Sequence, residues 1–137
     1  MTKEVETLIP HRSPFLFVDR IISLTKDEII GETIFHGTNG FLTGSFPEFN
    51  YVPGVILMEA LAQCGGAGIK KLGLADGLFG FANIEAANFY EGVEYDTLFR
   101  MVIKNIKVTE KYIKQTGRGI VGTHTCMDLS WICVRFQ

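Results

Sequence analysis

One acidic side chain stands inside a long apolar run. From Val52 to Ile69, Glu59 is the charged residue, and Gln63 follows it by four positions. Glutamate is rarely buried without a partner. A carboxyl withdrawn from water holds its proton more readily, and such a group suits general acid–base work. On a helix, residues four apart share a face, so Gln63 could orient the carboxyl by a hydrogen bond. The other reading is a structural glutamate that reaches solvent or a backbone amide at a helix edge. The residues alone leave both open. Pro53-Gly54 begins the same run. At a helix start the first amides are free donors at the positive end of the helix dipole. They would stabilise a carbonyl oxygen that gains negative charge, and Gly54 would let a ligand approach the backbone closely. A plain N-terminal cap is the alternative.

Those residues need a helix to hold them. Pro suits a first turn, so a helix is expected from Pro53-Gly54 to about Leu72. Apolar residues cover every face of it, which predicts a helix buried all round. By length the run resembles a short membrane span, but Glu59, Gln63 and the Gly65, Gly66, Gly68 cluster favour a core helix. Around it, Thr2 to Leu8 reads as a short helix ended by Pro10. Phe15–Leu24, Ile29–Phe35, Phe79–Phe89, Leu98–Val108, Gly119–Leu129 and Trp131–Phe136 read as strands. Gly37–Tyr51 reads as a loop. One helix followed by consecutive strands argues for an α+β fold with an antiparallel sheet.

The chain has 137 residues, 47% hydrophobic and 20% charged, consistent with one domain spanning 1–137. Thirteen Lys+Arg against fifteen Asp+Glu give −2, which argues against nucleic-acid binding by charge. Residues 1–69 carry a net −4 and residues 97–118 a net +5. That basic stretch reads either as a solvated strand pair or as a docking surface for an acidic partner. Cys64, Cys126 and Cys133 are odd in number and widely spaced, so neither a disulfide framework nor a zinc motif is suggested. Free thiols fit a reducing cytosol, and the N-terminus carries no secretory pattern, so a cytoplasmic protein is expected.

Two longer segments are more specific. Ile9-Pro10-His11-Arg12-Ser13-Pro14-Phe15-Leu16-Phe17-Val18-Asp19-Arg20 resembles the opening of (3R)-hydroxyacyl-ACP dehydratases, the FabZ/FabA-like family of dissociated fatty-acid synthesis. Gly44 to Gln63 resembles that family's active-site segment, and Phe81 to Phe89 its following strand. The resemblance implies a hot-dog fold, an antiparallel sheet wrapped around a long helix. It implies a dimer with composite sites, often a trimer of dimers, and no metal or redox cofactor. It implies a β-hydroxyacyl thioester on acyl carrier protein as substrate and loss of water to an enoyl product. Carried over by position, Glu59 is the catalytic carboxylate and the Gly54 amide holds the thioester carbonyl. Phe46, Pro53, Val55, Gln63 and Phe81 become candidate substrate-binding residues.

The match breaks at one catalytic position. The family's histidine before Phe-Pro corresponds to Ser45, and the glycine after it to Glu48. The family's later Pro-Gly-Asp turn corresponds to Glu94-Tyr95-Asp96. An imidazole with a pKa near ~6.5 can take a proton from carbon. A serine hydroxyl cannot do so alone, and losing a general base costs ~10²–10⁴ in rate. His36 and His124 read as surface or core residues, and His11 as structural. Three functions remain: a dehydratase with altered chemistry, a non-catalytic acyl-ACP-binding subunit paired with a histidine-bearing paralogue, or an acyl-thioester hydrolase using Glu59. Phe35, Phe41, Phe49, Tyr51, Phe89 and Tyr90 are further acyl-tunnel candidates. Lys70, Lys71, Arg100 and Lys104 are candidates for meeting an acidic carrier.

Overall fold

Hydrophobic spacing resolves into strands and helices in the computed structural model, which describes residues 2–137. Along the chain run α1 (Thr2–Leu8), β1 (Arg20–Leu24), β2 (Glu28–Ile34), α2 (Gly40–Thr43) and α3 (Gly54–Leu72). Then come β3 (Phe79–Phe89), β4 (Leu98–Val108), β5 (Tyr112–Val121) and β6 (His124–Arg135). The strands form one sheet in the order β1-β2-β4-β5-β6-β3, with every pairing antiparallel. This is the α+β hot-dog arrangement expected above. Helix α3 lies on one face of the sheet and touches β1, β2, β3, β4 and β5.

Period-two alternation places Phe99, Met101 and Ile103 of β4 in the core, and Met127, Leu129 and Trp131 of β6 beside them. Helix α3 meets this surface closely because its contact residues are small. A Cβ on Gly68 would come within 2.5 Å of Ile29, and one on Gly65 would strike the Gln115 amide. Gln115 Nε2 donates to the Gly65 carbonyl at 3.3 Å and to Asn105 Oδ1 at 2.8 Å, so this buried amide is partnered. The helix ends at Gly73, whose φ of 70° closes it with bonds from Gly73 N to Lys70 O and Leu74 N to Ile69 O.

Helix α3 and strands β3 and β4 fall where the residue pattern puts them, but other expectations need correction. The strand expected over Phe15–Leu24 starts only at Arg20, because the backbone of Phe15 and Phe17 bonds to Gln63 of α3 rather than to a neighbouring strand. The loop expected over Gly37–Tyr51 holds the single-turn helix α2, capped by the Asn39 side chain bonding to Phe41 N. The final strands divide at Gly122, φ 61°, rather than at Ser130. Gly117 and Gly119 obscured β5 because glycine is a poor strand former. They sit there because a Cβ on Gly119 would strike Phe99, and one on Gly117 would come within 2.7 Å of Ile103. Nor is α3 buried all round: Val55 is 70% exposed, and Lys70 and Lys71 face solvent. Among the described residues no helix is long and apolar enough to cross a membrane.

Candidate functional site

The N-terminal segment crosses the first turns of α3, and Gln63 ties the two together. Its Oε1 accepts from Phe17 N at 2.8 Å, and its Nε2 donates to Phe15 O at 3.1 Å. The side-chain amide thus stands in for a strand partner. Gln63 is 2% exposed and Phe17 3%, so the bond between them satisfies an amide that water cannot reach. The same Nε2 donates to Glu59 Oε2 at 2.9 Å, the orientation expected from the four-residue spacing. Glu59 is partly buried, its side chain 22% exposed, so the carboxylate keeps some access to solvent.

The segment also delivers His11. Its Nε2 lies 3.4 Å from Glu59 Oε2, and its Nδ1 is buried without a partner. Arg12 braces this stretch. It donates to the carbonyls of Ile9 at 3.0 Å, His11 at 2.7 Å and Glu6 at 3.0 Å. The sequence reading gave His11 a structural role, and its place beside Glu59 was missed. No spacing signal could have found it, since the two residues lie in separate elements joined only by folding.

Glu59, His11 and Gln63 line a cavity of about 150 Å³ between α3, the N-terminal segment and the β3–β5–β6 end of the sheet. Phe79, Phe81, Ile69, Ile113 and Cys133 supply much of its apolar wall. Burial pushes the Cys133 thiol up to about 11, and the nearby Glu59 charge adds to the shift. That thiol is therefore protonated and unreactive at neutral pH. An apolar pocket with a few convergent polar groups is the usual form of a small-ligand site. Among the described residues no cluster of His, Cys, Asp or Glu is arranged to hold a metal ion.

The remaining site candidates are dispersed within the protomer. Pro53 is buried and caps α3, its carbonyl accepting from Ile56 N at 3.0 Å and Leu57 N at 3.3 Å. Gly54 is half-buried at the open helix end, and a Cβ there would sit 3.1 Å from the Phe89 ring. Ser45 and Phe46 are exposed beyond α2 and do not line the Glu59 cavity. Val55 points outward. His36 and His124 are exposed beside Asp96 (3.7 Å) and Glu91 (3.2 Å), away from the cavity. Of the further tunnel candidates, Phe35 belongs to the core with Phe17 and Phe99, while Phe41, Phe49, Tyr51, Phe89 and Tyr90 are exposed. Three of the four candidate carrier-facing cations already have acidic neighbours: Lys70 with Asp76, Lys71 with Glu4 and Arg100 with Glu32.

Comparison with known proteins gives this geometry a context. A sequence model described as a FabA-like domain matches residues 9–129. The 3-hydroxyacyl-[acyl-carrier-protein] dehydratase FabZ of Streptococcus agalactiae is 33% identical over 117 residues, 84% of this chain and 78% of that protein. The Haemophilus influenzae protein of the same name is 34% identical over 137 residues, covering 98% of this chain and 93% of its own. Among solved structures, the dehydratase heterocomplex ApeI:P from Xenorhabdus doucetiae superposes with a TM-score of 0.82 at 15% identity, covering 97% of this chain and 91% of that one. With a matched region that includes Glu59, Gln63 and the segment carrying His11, the chain belongs to the FabA-like dehydratase family.

Proposed function

We propose that the protein acts on β-hydroxyacyl thioesters of acyl carrier protein as a dehydratase-type enzyme of fatty-acid or polyketide/polyene-type synthesis. Its catalysis is altered by the serine at position 45. The observation that carries this reading is the Glu59 carboxylate, oriented by Gln63 at the edge of an apolar cavity. Glu59 takes the proton from Cα, and that electron pair forms the double bond to Cβ. The Cβ–O bond breaks, and the hydroxyl leaves as water with the proton that Glu59 returns. The Gly54 amide is assigned to the thioester carbonyl, whose negative charge grows as the α-proton leaves.

The assembly we assign is a homodimer, alone or within a trimer of dimers. Strand β3 is a sheet edge, and Ile84, Phe89 and Tyr90 are 42%, 48% and 59% exposed. An unpaired edge beside exposed apolar side chains favours a protein partner. Location in the cytoplasm suits the three free cysteines.

Purified protein incubated with a β-hydroxyacyl-ACP should develop enoyl absorbance, and Glu59→Gln should abolish it. Unchanged turnover in Glu59→Gln removes the assignment. Release of free thiol in place of enoyl product would mark a thioester hydrolase instead.

A second reading is favoured by Ser45 itself, exposed and outside the Glu59 cavity. In it the chain is a non-catalytic acyl-ACP-binding subunit, and a histidine-bearing paralogue completes a composite site across the β3 edge. Acyl-ACP binding without turnover, followed by turnover on mixing with such a paralogue, supports it. A gain of dehydration in Ser45→His would mean that the imidazole alone is missing.

A further inference from the structure

We propose that His11 is a positioning residue for Glu59, one that selects which carboxylate oxygen carries the proton; this rests on the dehydratase reading above. Two nitrogens converge on the same atom. Gln63 Nε2 lies 2.9 Å from Glu59 Oε2, and His11 Nε2 lies 3.4 Å from it. Among the described residues Oε1 takes no hydrogen bond, so it is the oxygen left to meet a substrate. The 3.4 Å approach of His11 is a contact and not yet a formed hydrogen bond, and catalytic contacts of this kind tighten when substrate arrives.

The burial of Nδ1 bears on the tautomer. That atom is buried and has no hydrogen-bond partner among the described residues. A proton there would be a stranded donor, which buried structures rarely tolerate, whereas a bare ring nitrogen strands only an acceptor. The neutral ring therefore carries its hydrogen on Nε2, the nitrogen 3.4 Å from Oε2. This arrangement also excludes His11 as a direct substitute for the family's histidine. One ring nitrogen is sealed off and the other is engaged with Glu59, so the ring acts through the carboxylate.

The ring is held for this task from two sides. Arg12 binds the His11 carbonyl at 2.7 Å, and Gln63 pins Phe15 and Phe17 just downstream. Gln63 alone would leave the carboxylate free to turn about its terminal torsion, which is broad. A second donor on the same oxygen removes that freedom. As Oε1 accepts and returns a proton, the pair on Oε2 keeps it facing the cavity.

The test compares two substitutions. His11→Phe keeps a flat ring and removes the donor; His11→Gln keeps an N–H near the Nε2 position. With folding checked by circular dichroism, His11→Phe should lose about 10²-fold in kcat with KM within about twofold, the scale of a misplaced catalytic group. His11→Gln should recover most of that loss. Equal kcat in wild type and His11→Phe overturns the inference, as does an equal loss in both variants. Turnover surviving in Glu59→Gln overturns the assignment of Glu59 itself, and free-thiol release without enoyl product overturns the dehydratase reading. A dead Glu59→Gln with an unaffected His11→Phe overturns only the role of His11. If the wild-type protein shows no turnover, crystals of His11→Phe decide: a carboxylate that swings supports the inference, and one that stays in place with Oε2 on Gln63 refutes it.

Discussion

Replacing Gln63 with leucine tests whether one side chain couples the N-terminal segment to α3. The residue is 2% exposed and makes three bonds: to Phe17 N, Phe15 O and Glu59 Oε2. Leucine has a similar volume and makes none of them. Phe17 is 3% exposed, so its amide becomes a stranded donor, a loss of about 1–3 kcal/mol. Phe15 is 37% exposed and Glu59 keeps access to solvent, so water replaces Gln63 at both. Their combined loss is about 1–3 kcal/mol. Burial of the leucine side chain offsets about 1.5–3 kcal/mol. The net expectation is destabilisation of about 1–3 kcal/mol, or a fall in Tm of roughly 4–12 °C for a protein of this size. Urea unfolding followed by circular dichroism, at equal protomer concentration, should show a lower midpoint with an unchanged slope. Amide exchange at Phe17 should accelerate. An unchanged midpoint with Phe17 still protected would refute the reasoning, because another group would then be satisfying that amide.

Two glycines two residues apart, and so on nearly opposite sides of α3, should respond oppositely to alanine. A Cβ on Gly66 finds only Ile9 at 4.0 Å, so Gly66→Ala should gain up to ~1 kcal/mol from helix propensity. Gly68→Ala places a methyl 2.5 Å from the fully buried Ile29 and should lose ~1–2 kcal/mol after that gain is counted; thermal melts in the reverse order would contradict the packing. The Cys64 thiol, pushed up to about 12 by burial, should be only on the order of 10⁻⁴ thiolate at pH 8 and should resist iodoacetamide until urea unfolds the chain. Because its folded value lies above the unfolded ~8.5, its contribution to stability is complete below that pH and is lost as pH rises toward the folded value, so chemical denaturation midpoints should fall above pH 9. Ile84→Arg should convert the proposed dimer to monomer in light scattering, and an unchanged mass would move the interface elsewhere.

The resemblance of Gly44 to Gln63 and of the Ile9–Arg20 stretch pointed to the family, and a carboxylate in an apolar run with an amide four residues later pointed to the site. Both are local patterns: helix periodicity sets which side chains share a face, and Glu59 and Gln63 need only α3 to meet. Strand β5 was half hidden, because Gly117 and Gly119 weaken local strand preference and are explained only by Phe99 and Ile103 on the neighbouring strand. The pairing of the basic residues was equally invisible, since Arg100 finds Glu32 across the β2–β4 pair and Lys71 finds Glu4 from another helix. Only the tertiary structure brought His11 to Glu59. No periodicity links the two residues, and the approach depends on Gln63 holding a strandless segment against the helix. Local spacing determines what one element can present; which side chain meets it from another element is decided by packing and by buried polar groups that must find partners.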